Sequence, residues 1–257
     1  MARPAILVTG GATRIGAAIV RRFAQHGWHA VIHYRSSDKA ANALARSLPS
    51  AETIACDLAD GDAAEAMILG LAGRLPDWRA LVNSASIFEY DAATKLDAAT
   101  NQEAMQVNAV SPARMGQAYL RAARSKGIRA LIQITDMKLA NPNPDFFSYT
   151  MSKHAHASTV AMLAKHYRRE ASVRVYGLAP GAILASHDQS EDETELSHRL
   201  NLLKRKTGAD EIAAAAIFMA QGTLRSGSSL FVDSGQHLLD QPRDVIYLAR
   251  ETAAGRA

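Results

Sequence analysis

The sequence predicts an α/β chain folded as a doubly wound parallel sheet of about seven strands with helices on both faces. Three observations carry this. Short β-branched or apolar runs alternate with longer stretches of helical periodicity along the chain. A glycine-bearing turn, Thr9-Gly-Gly-Ala-Thr-Arg-Ile-Gly16, sits where the first such run meets the first helical pattern. No repeat, low-complexity tract or Gly/Ser/Pro-rich linker divides the chain, so one domain is expected over residues 1–240, with a tail over 241–257.

In order, strands are expected at 5–9, 29–34, 51–56, 80–82, 130–135, 173–178 and 229–232. Between them fall helices at 15–26, 38–47, 63–72, 102–124, 148–170 and 209–220. The first helix carries Ile15, Ile19 and Phe23 at four-residue spacing, one apolar face for the sheet. Residues 180–208 form the longest irregular piece, with an acidic run at 190–195. They are read as one or two short helices, serving either as a lid over a substrate or as a solvated surface excursion. The tail offers a helix at 244–252 and a frayed end, with no evident role. In such a sheet ligands bind beyond the carboxyl ends of the strands, so the chemistry is expected just after them.

With 257 residues, 48% hydrophobic and 21% charged, the chain can bury a sizeable core. A net charge of +4 without basic runs interleaved with aromatics points away from nucleic acid, and permits an anionic cofactor. The single cysteine, Cys56, excludes an internal disulfide and suits a reducing compartment. The nine histidines form no metal-spaced motif, and His154 and His156 read as ordinary polar positions. The first apolar run is too short for a signal-peptide core or a membrane span. A soluble cytoplasmic protein with a small-molecule substrate, no metal, no membrane and no nucleic acid is expected.

Tyr149-Thr-Met-Ser-Lys153 opens the long helical run at 148–170. A phenol and an ammonium four residues apart share a helix face, where the cation should pull the tyrosine pKa down from about 10. Tyr149 is therefore a candidate proton donor. The turn after the first strand lets backbone approach a pyrophosphate at a helix N-terminus. It resembles the T-G-x-x-x-G-x-G loop of the short-chain dehydrogenase/reductase family, with Arg14 in place of the middle glycine. At the second strand's end, His33-Tyr-Arg-Ser-Ser37 offers Arg35 and hydroxyls where an acidic residue would accept a ribose 2′-hydroxyl. This favours a 2′-phosphate, hence NADPH over NADH.

The resemblance extends over nearly the whole chain. Asp57 resembles the family's adenine-contacting aspartate, and Asn83-Ser-Ala-Ser86 stands where the family has N-N-A-G. Asn108 matches the asparagine that helps hold the catalytic lysine, Pro180-Gly181 the turn along the nicotinamide, and Val232-Asp-Ser-Gly235 the closing D-G-G segment. It implies a single-domain Rossmann fold, a homotetramer built on the helices at 102–124 and 148–170, and catalytic Asn108, Tyr149 and Lys153. The implied NADPH-binding set is Thr9, Gly10, Thr13, Arg14, Ile15, His33, Tyr34, Arg35, Ser36, Cys56, Asp57, Leu58, Asn83, Ser84, Ala85, Ser86, Thr135, Tyr149, Lys153, Pro180, Gly181 and Ile183.

The departures point to the substrate. Where the family has a serine about a dozen residues before the tyrosine, this chain has Asp136, thirteen before Tyr149. An aspartate there suits a substrate with protonatable ring nitrogens. This, with Arg14 in the loop and Ser86-Ile-Phe88, is the pattern of pteridine reductases and bacterial dihydromonapterin reductases. The resemblance implies a pterin bound by Arg14, Ser86, Phe88, Asp136 and Tyr149, with Phe88 stacking on the ring and Asp136 and Tyr149 delivering the proton. The alternatives are a carbonyl reductase of 3-oxoacyl or sugar-like substrates, with Thr135 compensating for the absent serine, and an NADP-binding protein without turnover.

Overall fold

The computed structural model describes residues 3–185 and 189–255. Seven parallel strands form its sheet: β1 (Ala5–Val8), β2 (His29–Tyr34), β3 (Ala51–Ala55), β4 (Trp78–Asn83), β5 (Arg129–Ile134), β6 (Val173–Pro180) and β7 (Ser229–Val232). Their order is β3-β2-β1-β4-β5-β6-β7, so the chain reverses its winding between β1 and β4. Both faces of the sheet are covered, which is why the central strands are continuous apolar runs. Ile6 and Val8 enter the core on one face, and Leu7 enters the core on the other.

On the first face lie α1 (Arg14–Gln25) and α8 (Ala209–Ala220), burying Ile19, Phe23, Ile212 and Met219 against Ile32, Val82 and Ile132. On the second lie α3 (Gly61–Arg74), α5 (Ser111–Ala122) and α6 (Phe147–His166), burying Ile68, Leu71, Met115, Tyr119 and Val160 around Trp78 and Leu81. Asp60 starts α3 by accepting the Asp62 and Ala63 N–H groups, three residues ahead of the expected start. The remaining helices are α2 (Asp38–Arg46), α4 (Ala98–Met105), α7 (Glu191–Ser197) and α9 (Val245–Ala253).

The helix expected at 102–124 begins earlier, at Ala98, and is interrupted. Between α4 and α5, Gln106–Val110 widens into a π-helical turn, in which Ser111 N–H reaches the Gln106 carbonyl. Pro112 explains it: having no N–H, it cannot close an α-helical bond to the Asn108 carbonyl. The helix expected at 148–170 ends at His166. Strand β4 extends beyond 80–82 because Trp78 is fully buried and its indole N–H reaches the Ala80 carbonyl at 2.8 Å.

The acidic run forms α7, started by a capping box between Ser190 and Glu193. Of the segment 180–208, read as a lid or a surface excursion, residues 186–188 lie outside the described residues. The tail folds back onto the body: Asp244 accepts the Ile246 N–H to start α9, while Ile246 and Tyr247 pack with Phe88, Phe146 and Tyr149. Among the described residues no helix is long and apolar enough to cross a membrane.

Candidate active site

A cavity of about 450 Å³ opens at the carboxyl ends of β1, β4, β5 and β6, beside the reversal of strand order. Its floor begins with the glycine turn. Gly10 takes a positive φ of 62°, and a Cβ there would come within 3.0 Å of the Ala85 backbone. A Cβ on Gly16 would collide with the Gly10 carbonyl. Arg14 also has positive φ, 52°, at the position where the family loop has its middle glycine; an L side chain is strained there. Its guanidinium donates to the Ala185 and Leu184 carbonyls at 3.0 and 3.3 Å, tying the loop after β6 to the turn after β1.

Several expected cofactor residues support the cavity rather than line it. Gly10 N–H donates to His33 Nδ1 at 3.1 Å, so the ring's proton resides on Nε2, which donates to the Cys56 carbonyl at 3.0 Å. Burial pushes the His33 pKa down to about 4, so the ring is neutral at pH 7. Although His33 also borders the cavity, both its nitrogens are thus engaged by the protein. Thr9 Oγ1 accepts the Ser84 and Ala85 N–H groups at 2.9 and 3.1 Å, and Asn83 donates to Gln133 and to the Pro112 carbonyl. Thr9, Tyr34, Ser36, Cys56, Asn83 and Asn108 do not line the cavity. The other expected contacts do: Gly10, Thr13, Arg14, Ile15, Arg35, Asp57, Leu58, Ser84, Ala85, Ser86, Thr135, Pro180, Gly181 and Ile183.

Tyr149 and Asp136 meet: the phenol donates to Asp136 Oδ2 at 2.6 Å. Asp136 also caps the 3₁₀ turn Met137–Leu139 by accepting the Lys138 N–H at 2.8 Å. Burial raises its pKa, with Lys138 and the Tyr149 hydrogen bond opposing. The expected lowering of the Tyr149 pKa by Lys153 is not what the structure has. Burial raises it well above 10, and the negative charge of Asp136 adds to the rise. Lys153 instead donates to the Ile134 carbonyl at 2.9 Å, its Nζ lying 5.5 Å from the Tyr149 ring centroid. Burial brings its own pKa down to about 8.

Asn108 binds the Ile87 N–H and carbonyl at 2.8 and 2.9 Å and donates to Ser152 at 3.0 Å. It holds the segment after β4 against α6 and makes no direct hydrogen bond to Lys153. Phe88 lines the cavity and is partly buried. It stacks on Phe146, centroids 4.0 Å apart and planes at 20°, and meets Tyr149 edge-on at 4.7 Å. His156 is not an ordinary polar position. It is 1% exposed, neither ring nitrogen has a partner, and burial drives its pKa to about 3.

Sequence reasoning missed part of the cavity wall. Lys138, Asn143, His198 and the tail residues Asp244, Val245 and Ile246 all line the cavity. The one available signal was Asp244 standing ahead of an apolar run, a helix-start pattern. Among the described residues no group of three or more His, Cys, Asp or Glu side chains could hold a metal ion.

The cavity, the seven-stranded order and the Tyr149–Lys153 helix define a nucleotide-binding oxidoreductase scaffold. A family model described as enoyl-(acyl carrier protein) reductase matches residues 10–237. The chain belongs to this short-chain dehydrogenase/reductase family.

A dihydromonapterin reductase of Citrobacter koseri is 26% identical over 91% of this chain and 96% of that protein. A galactitol 2-dehydrogenase (L-tagatose-forming) of Cereibacter sphaeroides is 32% identical over 89% and 92%. Among solved structures, FolM alternative dihydrofolate reductase 1 from Brucella canis, complexed with NADP, superposes with a TM-score of 0.85. It is 29% identical and covers 95% of this chain and 97% of that one.

Proposed function

We propose that this reductase uses NADPH to reduce a pterin, taking a 7,8-dihydropterin to its tetrahydro form. The observation that carries the reading is the 2.6 Å hydrogen bond between Tyr149 and a buried aspartate, in place of a family serine. The residues fit the cofactor. The buried Thr135 hydroxyl borders the cavity without a partner, and the Gly10, Gly16 and Gly181 positions have no room for a Cβ. Thr135, Gly181 and Ile183 would hold the nicotinamide end, the glycine turn the pyrophosphate, and Arg35 the 2′-phosphate. When bound, NADPH supplies the hydride that the protein cannot.

The chain's own residues handle the proton. With both pKa values raised by burial, Asp136 and Tyr149 keep protons to higher pH than their exposed counterparts. One proton passes from this pair to N5 of the ring as C6 is reduced. Lys153, anchored on the Ile134 carbonyl, stands beside the phenol and restores charge balance after the transfer. Phe88 leaves Phe146 to stack on the pterin, or seats it together with Phe146.

One observation favours reduction of a 3-oxoacyl or sugar-like carbonyl instead: the Thr135 hydroxyl is free to donate to a ketone oxygen. NADPH oxidation with 7,8-dihydromonapterin or dihydrobiopterin, set against a 3-oxoacyl substrate and NADH, separates the two. Turnover of the pterin, lost in Asp136→Ser, supports the proposal. Turnover of the carbonyl alone transfers it to the second reading.

A further inference from the structure

The tail brings a third carboxylate into the cavity, beside Asp57 and Asp136, and the pterin reading gives it no task. Asp244 is 7% exposed and pairs through Oδ2 with Lys138 Nζ at 2.8 Å. Lys138 is 5% exposed, two residues after Asp136, and its backbone N–H is the group that Asp136 caps. Its Nζ also donates to Asn143 Oδ1 and the Asp145 carbonyl, both at 3.1 Å, and lies 5.1 Å from the Phe146 ring centroid. A second anchor fixes the tail. Arg243 donates to both carboxylate oxygens of Asp145, and the Asp244 N–H donates to Asp145 Oδ2 at 2.9 Å. Four bonds thus join the tail to the segment preceding α6, around a cation that neighbours the Tyr149–Asp136 pair.

We propose that Asp244 is a positioning residue of the active site: carried there by the tail, it neutralises Lys138 and so keeps the proton on the Asp136–Tyr149 pair. This rests on the reading of that pair as the proton source. The charged and titratable groups around Asp136 are few. Lys138 follows it in its own turn, and Tyr149 and Lys153 reach it from α6; Asp244, from the tail, pairs with Lys138 and acts on Tyr149, while Asp145 is taken up by Arg243. The two lysines favour ionised Asp136, and Asp244 acts on Tyr149 in the opposite sense. An unpaired ammonium this deep would be costly, and its field would draw the proton off Asp136. With Asp244 in place, the field of Lys138 at Asp136 is partly offset, though it still favours the ionised carboxylate.

The test reads Asp136 directly, in the protein without cofactor. Its protonated carboxyl gives an infrared C=O stretch, assigned by its absence in Asp136→Asn and titrated against pH. In Asp244→Asn the midpoint should fall by on the order of one pH unit. In Lys138→Met it should rise, and Lys138→Met/Asp244→Asn should lie between the two single variants. Loosening of the tail would move all three variants in one direction, so opposite shifts support the proposal. Unchanged midpoints, or shifts of one sign, overturn it. The pH profile of kcat/KM with a dihydropterin should follow the same signs. Failure of the wild type to reduce any pterin would sink the proposed function while leaving the infrared result to stand or fall alone.

Discussion

His33 Nδ1 accepts the Gly10 N–H at 3.1 Å, so the ring near the end of β2 holds the glycine turn that follows β1. The bond requires an unprotonated Nδ1, and burial secures that by pushing the pKa to about 4. His156, buried without partners, sits at about 3. In each case the unfolded chain binds a proton near pH 6.5 and the folded chain does not. Stability from these groups is therefore complete above about pH 6.5 and declines as pH falls toward 4 and 3, by about 2 kcal/mol per histidine at pH 5. Asp136, whose folded pKa is raised, works against this decline. His156→Leu should leave stability at pH 7 unchanged or higher and flatten its fall between pH 7 and 5 in urea titrations. A parallel fall in the variant would remove His156 from the acid response.

Tyr149→Phe deletes the donor to Asp136 and little else, because the ring's packing against Phe88 survives. Turnover should drop by about a thousandfold or more, with NADPH affinity within a factor of about two, as measured by fluorescence titration. Comparable turnover would mean that Asp136 alone delivers the proton.

Arg35 lines the cavity just after β2, and the proposed function assigns it the 2′-phosphate that NADH lacks. Arg35→Ala should cost about 2 kcal/mol of NADPH binding, roughly thirtyfold, and far less for NADH. Equal losses for the two dinucleotides would remove Arg35 from the 2′-phosphate site.

Gly16→Ala forces a methyl group against the Gly10 carbonyl and within 3.0 Å of Gly11 Cα. The turn has to open, so stability should fall by about 1–3 kcal/mol and NADPH binding with it. Gly70→Ala is the control. Nothing lies within 4 Å of a Cβ there, inside α3, and the change should stabilise by about 0.5–1 kcal/mol in thermal denaturation.

Much of the fold is a matter of local pattern, and local pattern is legible. The alternation of strand and helix, the apolar face Ile15–Ile19–Phe23 and the glycine turn each depend on neighbours in the chain, so the sequence alone determines them. The same holds for Tyr149 and Lys153 sharing one helical turn; that Asp136 joins them, from the end of another element, was implied only by the family resemblance. What the tertiary structure decided involves distant partners. Arg14 meets carbonyls 170 and 171 positions away, Phe88 meets Phe146, and Asp244 meets Lys138. Such pairings follow from how layers pack and leave no periodic trace in either segment. The Tyr149 pKa shows the same division. Spacing places Lys153 one turn away, yet burial and the Asp136 charge outweigh the lysine, because desolvation belongs to the whole cavity rather than to any pair of residues.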